Sequence, residues 1–171
     1  MTSWTYLLDP AARIVVAALA GTVLGLNRDL HGKSTGVRTL GLVAMSSALI
    51  TVATLNLATD YGALKLNVDT LIPVVQGVLT GIGFIGAGVV VHGQNEFIRG
   101  ITTASAIFAT AGIGVVVGTG HLALGSVTAI GVLLVLEIRN VPVLRRLDAR
   151  RYQTRFRDDN DPPGPLRGRP R

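Results

Sequence analysis

Few side chains in this 171-residue sequence are of a kind that does covalent chemistry. It contains no cysteine, which excludes disulfides, zinc–thiolate sites and thiol redox chemistry. Its three histidines, His31, His92 and His121, stand apart at or near expected turns, without the spacing of metal ligands, and read as surface or interfacial. No nucleophile–base pair or phosphate-cradling loop occurs in a suitable setting. The run GIGFIGAG at 81–88 echoes a dinucleotide fingerprint, but no strand precedes it and no acidic residue follows at the required distance. Neither enzyme activity nor a cofactor or metal site is expected.

The chemistry that remains is that of helices meeting one another. Residues 80–114 read TGIGFIGAGVVVHGQNEFIRGITTASAIFATAGIG, two apolar stretches dense in Gly, Ala, Thr and Ser around a short polar turn. Lipid is as apolar as the side chains it surrounds, so burying oil supplies no association force there. Close backbone approach at small residues and interhelical hydrogen bonds must supply it.

These residues need spans to carry them. The composition is 49% hydrophobic and 15% charged, outside the range of an ordinary soluble domain. One crossing takes roughly 20 helical residues at ~1.5 Å each. Five apolar runs qualify, at 11–26, 40–58, 71–91, 101–117 and 122–138; snorkelling basic ends cover the shorter ones. The expected fold is all-α: a polytopic integral membrane bundle of about five transmembrane helices. A cleavable leader is not expected, because 1–10 holds Asp9 and no Lys or Arg, and the apolar run continues past Ala20 to Leu26.

On a helical wheel, Gly77, Gly81 and Gly88 of the third span form one stripe, with Gln76, Thr80, Gly83 and Ala87 beside it. The larger aliphatic residues, interrupted by Gly86, take the opposite side. This places the third span at the bundle centre, its small and polar side against neighbours. Gln76 and Thr80 read as packing glue. In the fourth span Thr102, Ser105, Ala106, Ala109 and Gly112 share a face, with Thr103 and Gly100 near its start. The short turn at 92–100 forces an antiparallel hairpin. In the first span Ala17, Gly21 and Gly25 form a small-residue ridge that Arg28 continues, directing a guanidinium toward the interface. Glu137 at matching depth is the expected ion-pair partner, with Asp29 and Glu96 as competitors; the alternative is that these charges only mark where helices leave the membrane.

Residues 1–138 hold six basic and six acidic side chains, whereas 139–171 hold ten arginines and four aspartates. The first loop carries Arg28, Lys33 and Arg38, the second Lys65, the third Arg99 and the fourth none. The positive-inside rule then gives an external N terminus and a cytoplasmic C terminus. Three parts follow: a transmembrane domain at 1–140, a basic juxtamembrane segment at 141–157 and a disordered Pro/Gly/Arg-rich tail at 158–171. The arginines suit anionic lipid at the cytoplasmic face, or act as a stop signal. Nucleic acid is not an expected partner, since no folded domain presents the charge.

With these residues in view the chain resembles the MgtC/SapB family of bacterial inner-membrane proteins over about 11–140. The carriers are GVRTLGLVAMSSAL at 36–49 and the ordered series from Gly81 to Gly120. GLNRD at 25–29 is similar to the family's Gly-x-Glu-Arg-Glu motif, with Asn27 replacing the usual Glu, and Phe108 stands where Trp is frequent. The resemblance implies adaptation to low magnesium, survival inside macrophages, virulence, and regulation of membrane energetics, including restraint of the F-type ATP synthase. The residues after Ile138 are too few and too polar for the ACT-like domain of many members, so the likeness is to the short SapB-like form.

The leading expectation is a non-enzymatic regulator or adaptor, meeting a membrane partner or a second copy through a small-residue face. Its candidate cytoplasmic residues are Arg28, Asp29, Arg38, Arg99 and Gly100. The alternative is a small transporter or channel for magnesium or another cation. Magnesium demands oxygen ligands, usually carboxylates, and the acidic residues here stand near the expected membrane surfaces.

Overall fold

All five apolar runs form α-helices, and polar loops with glycine at chosen positions end several of them. A computed structural model describes residues 3–60, 68–92 and 98–138. The elements are α1 (Ser3–Leu30), α2 (Val37–Asp60), α3 (Val68–Val89), β1 (Val91–His92), β2 (Ile98–Arg99), α4 (Ile101–Gly118) and α5 (Leu122–Glu137). Lys65, Glu96, the basic segment 141–157 and the tail 158–171 lie outside the described residues.

Two helices stop in the same way. At the end of α1, Gly32 takes a left-handed conformation (φ 63°). The Lys33 N–H then returns to Arg28 O at 3.1 Å and the Gly32 N–H to Asp29 O at 3.0 Å. At the end of α4, Gly120 (φ 89°) lets His121 N–H reach Val116 O at 3.3 Å and Gly120 N–H reach Val117 O at 2.9 Å. Both are the paired return bonds that satisfy the last carbonyls of a helix. The α3–α4 connection instead passes through an antiparallel ribbon in which Val91 pairs with Arg99 and His92 with Ile98.

The chain divides into two units, Met1–Leu133 and Leu134–Arg171. In the first, α4 packs against α1, α2 and α3, and α2 also packs against α1 and α3. The fully buried side chains Leu24, Leu40, Ile107, Ile113 and Val117 belong to α1, α2 and α4. Within this unit α5 buries Gly125 and Ala129, with Gly125 on Val117. In the second unit Leu134 and Val135 at the end of α5 are exposed.

Four helices, α1 to α4, are long and apolar enough to cross a membrane. At 16 residues α5 rises about 24 Å, short of the ~30 Å hydrocarbon thickness. The third helix departs from expectation. Of its spanning stretch 6% is buried, against 56% for α4. The centre therefore belongs to α4 and α2, and α3 is peripheral.

Candidate functional site: a buried arginine and an open small-residue face

The α1–α2 seam is built from glycine. A Cβ on Gly25 would stand 2.5 Å from Val37 Cα, and one on Gly21 would stand 2.8 Å from Ala44 Cβ. Such contact brings the two backbones together as small-residue ridges do in lipid. The α2–α4 seam repeats the device, with Gly114 on Ser47 and Gly118 on Thr51. Buried hydroxyls on these seams bond back into their own helices. Thr51 donates to Ser47 O at 2.9 Å and Thr110 to Ala106 O at 2.8 Å, leaving neither hydroxyl unsatisfied.

The ridge on α1 ends in Arg28, which is 3% exposed. Its Nε donates to Thr35 O at 2.9 Å, and its Nη2 to Thr103 Oγ1 at 2.7 Å. One guanidinium therefore ties the end of α1 to the turn before α2 and to the first turn of α4. Both of these acceptors are uncharged oxygens. Glu137, half-buried, falls in the second unit. Asp29, a competitor for Arg28 in the sequence, is engaged elsewhere. Its Oδ2 accepts the Val37 N–H at 3.0 Å, covering an open amide at the start of α2, and its carboxylate packs on Gly36. A side chain on Gly36 would displace it. Arg38 and Lys33 are exposed beside this junction in sequence. Arg99 is placed by its backbone in β2, and Gly100 (φ 93°) starts α4 without a side-chain cap, close to the Val89 backbone.

The opposite end of α1 carries a second arginine that sequence reading passed over. Arg13 pairs with Asp9, donates to Gly118 O at 3.4 Å, and lies over Gly120 at 3.1 Å from where a Cβ would be. It joins α1 to the α4–α5 turn. An arginine at i+4 from an aspartate was the available signal; the contact with Gly118, 105 residues away, had none.

The remaining sequence-derived residues are on α3 and α4. Gln76, Gly77, Thr80, Gly81, Gly83 and Gly88 are all exposed, and a Cβ at any of these four glycines meets nothing within 4 Å. Only Gly86 of that helix's glycines is buried, with Ala104 Cβ of α4 at 3.5 Å. On α4, Thr102 and Ser105 are exposed, and Ala109 and Gly112 are half-buried. Of the expected face Ala106 is buried, and it is joined there by Thr103, Ile107 and Thr110. Between α3 and α4 runs an open groove of about 510 Å³, floored by Gly83, Gly86 and Ala87 and edged by Ser105 and Phe108.

Comparison with known proteins places this arrangement. The family model described as the MgtC family matches residues 14–143. YhiD of Escherichia coli strain K12, named as a proposed magnesium transporter, is 41% identical over 132 residues, covering 74% of this chain and 58% of its own. Protein SapB of Bacillus subtilis is 35% identical, covering 70% and 52%. A Haemophilus influenzae protein without an assigned function is 35% identical, covering 84% and 60%. The chain thus spans between half and three-fifths of the length of these relatives. No solved structure matches it.

Proposed function

This chain belongs to the MgtC family and is a multi-pass membrane protein, and from that premise we propose that it is a non-enzymatic regulator or adaptor of the bacterial inner membrane. It acts by helix contact with another membrane protein, in adaptation to magnesium limitation and control of membrane energetics. It crosses five times, with its N terminus outside and its C terminus in the cytoplasm. Anionic lipid meets Lys33 and Arg38 on the inner side.

The observation that carries the reading is the outward face of α3. Gln76, Thr80 and four glycines are spread over a helix of which the bundle buries little. Lipid gains nothing from such a surface, whereas a second helix gains close approach at the glycines and an amide to bond. A component of the F-type ATP synthase, the partner implied by the family likeness, would supply such a helix, as would a second copy of the chain.

A cation transporter is the second reading, favoured by the name of YhiD. Against it, two carboxylates are already engaged within the protein: Asp9 with Arg13 inside α1, and Asp29 on the amide at the start of α2. Proteoliposomes holding only this protein decide between the two. The adaptor reading expects no magnesium flux above empty vesicles, together with a crosslinked partner recovered through α3 in the native membrane. Flux at transporter rates would overturn it.

A further inference from the structure

Of the four long helices, α3 is held unevenly along its length. Ile82 and Gly86, both in its C-terminal half, are buried, whereas residues 71–81 are all half-buried or exposed. A Cβ at Gly86 would rest on Ala104 Cβ of α4 at 3.5 Å, but one at Gly77, Gly81 or Gly83 meets nothing within 4 Å. The chain just past α3 is tied down as well. Val91 pairs with Arg99 and His92 with Ile98. Gly100 (φ 93°) passes so close to the Val89 carbonyl that a Cβ there would collide with it. The core is built without α3: Leu24, Leu40, Ile107, Ile113 and Val117 are fully buried on α1, α2 and α4. Arg28 and Arg13 then join α1 to α4 at both ends.

A stretch with few buried contacts is one whose local motion costs little. In lipid such motion exchanges apolar contact with acyl chains for apolar contact with protein. Space for it exists beside the anchored half. The groove of about 510 Å³ is lined by Gly83 and Gly86 on α3 and by Ala104, Ser105 and Ala109 on α4. Gly112, three residues beyond Ala109 on the same side of α4, also has nothing within 4 Å of a Cβ. Small residues on both walls permit a closer approach than the structure shows, and close approach is what stabilises helix pairs in lipid. Hinges are commonly residues at the ends of elements, as Val89 and Gly100 are here.

We propose that α3 is a hinged arm. It pivots on Gly86, the β1–β2 ribbon and Gly100, and its N-terminal half swings onto α4, closing the groove over Gly83 and Gly112. Closure covers Gly83 and Ser105, so the position of the arm sets what this side of the bundle presents to lipid. The hinge is independent of the adaptor reading, since it concerns contacts within one chain and no partner enters it.

The sequence contains no cysteine, so spin labels attach only where cysteines are introduced. The test places the full chain in phospholipid nanodiscs with three label pairs. All three share His121→Cys, exposed beside the end of α4. The second label is Ile72→Cys near the start of α3, Phe84→Cys beside its buried residues, or Val15→Cys on α1, each at an exposed position. Double electron–electron resonance gives the distance distribution of each pair. The Ile72 pair should be roughly twice as wide as the other two and extend to shorter distances, as a helix hinged at one end requires. Equal widths for the three pairs overturn the hinge. Gly112→Leu fills the free space beside α4 and should remove the short distances from the Ile72 pair while leaving the Val15 pair unchanged. An unaltered Ile72 distribution overturns closure onto α4. Should Gly112→Leu fail to fold, Gly83→Leu on the facing wall takes its place and is read in the same way.

Discussion

A guanidinium sealed against two neutral oxygens makes each of those contacts matter. Replacing Thr103 by Val keeps the shape of the side chain and removes the acceptor at 2.7 Å from Arg28 Nη2. The cost is that of stranding a buried charged donor, about 1–3 kcal/mol. Thr102, its exposed neighbour in sequence, is the control, and Thr102→Val should stay within ~0.5 kcal/mol. Reversible unfolding of both variants in one detergent measures the difference; equal effects would refute the role of Thr103. Asp29→Ala removes the acceptor at the start of α2 and should cost about 1 kcal/mol, as loss of a helix cap does. Sequence reading found the inward direction of Arg28, because spacing along one helix fixes which side a residue takes. Its partners were out of reach. Thr35 accepts through a carbonyl in a turn, and Thr103 meets Arg28 only through the packing of α4 on α1, which no local pattern encodes.

At the scale of the helix, glycine has two opposite meanings in this chain. Gly25 stands where a Cβ would meet the Val37 backbone at 2.5 Å, so Gly25→Ala must push two helices apart and should destabilise by about 1–3 kcal/mol. Gly81 has nothing within 4 Å. Gly81→Ala should therefore stabilise the isolated chain by about 0.5–1 kcal/mol, the helix-propensity gain of alanine over glycine. If α3 is the contact face of an adaptor, Gly81→Leu should leave the isolated chain folded while reducing its crosslinking to the partner. Unfolding and crosslinking thus move independently for α3 and together for α1. The same contrast explains what the sequence concealed. Helix positions were readable from apolar length, whereas the stops at Gly32 and Gly120 emerged only with the structure. The face each helix buries was readable for α1, where Gly21, Gly25 and Arg28 are all buried. It was not readable for α3, because a small-residue stripe fits a neighbour in this bundle and a neighbour outside it equally well. On α4 the buried side mixes Ile107 and Ile113 with Thr110 and Gly114, so size alone does not separate protein from lipid.

At the scale of the whole molecule, the first four helices form an antiparallel series. Arg28 at the end of α1 meets Thr103 at the start of α4, while Arg13 nearer the beginning of α1 meets Gly118 at the end of α4. Thus α1 and α4 run in opposite directions, and the two arginines hold them at both ends. The Arg28 end also carries Lys33 and Arg38, and the Arg13 end carries the α4–α5 turn without added lysine or arginine. Basic loops are retained on the cytoplasmic side, and this asymmetry is the basis for proposing that the Arg28 end lies inside. If α5 completes a fifth crossing despite its 16 residues, reporters fused before Ser3 and after Ile138 should read opposite compartments, external for the first and cytoplasmic for the second. A short helix makes that crossing the weakest of the five, held by anchoring more than by length. On the five-crossing reading, the ten arginines that follow Ile138 in the sequence would supply the anchor. Replacing Arg139, Arg145 and Arg146 with Gln should then shift part of the second reporter's signal to the outside while the first reporter and the α1–α4 bundle stay unchanged. An unchanged second reporter would mean that packing, and not charge, holds α5 in place.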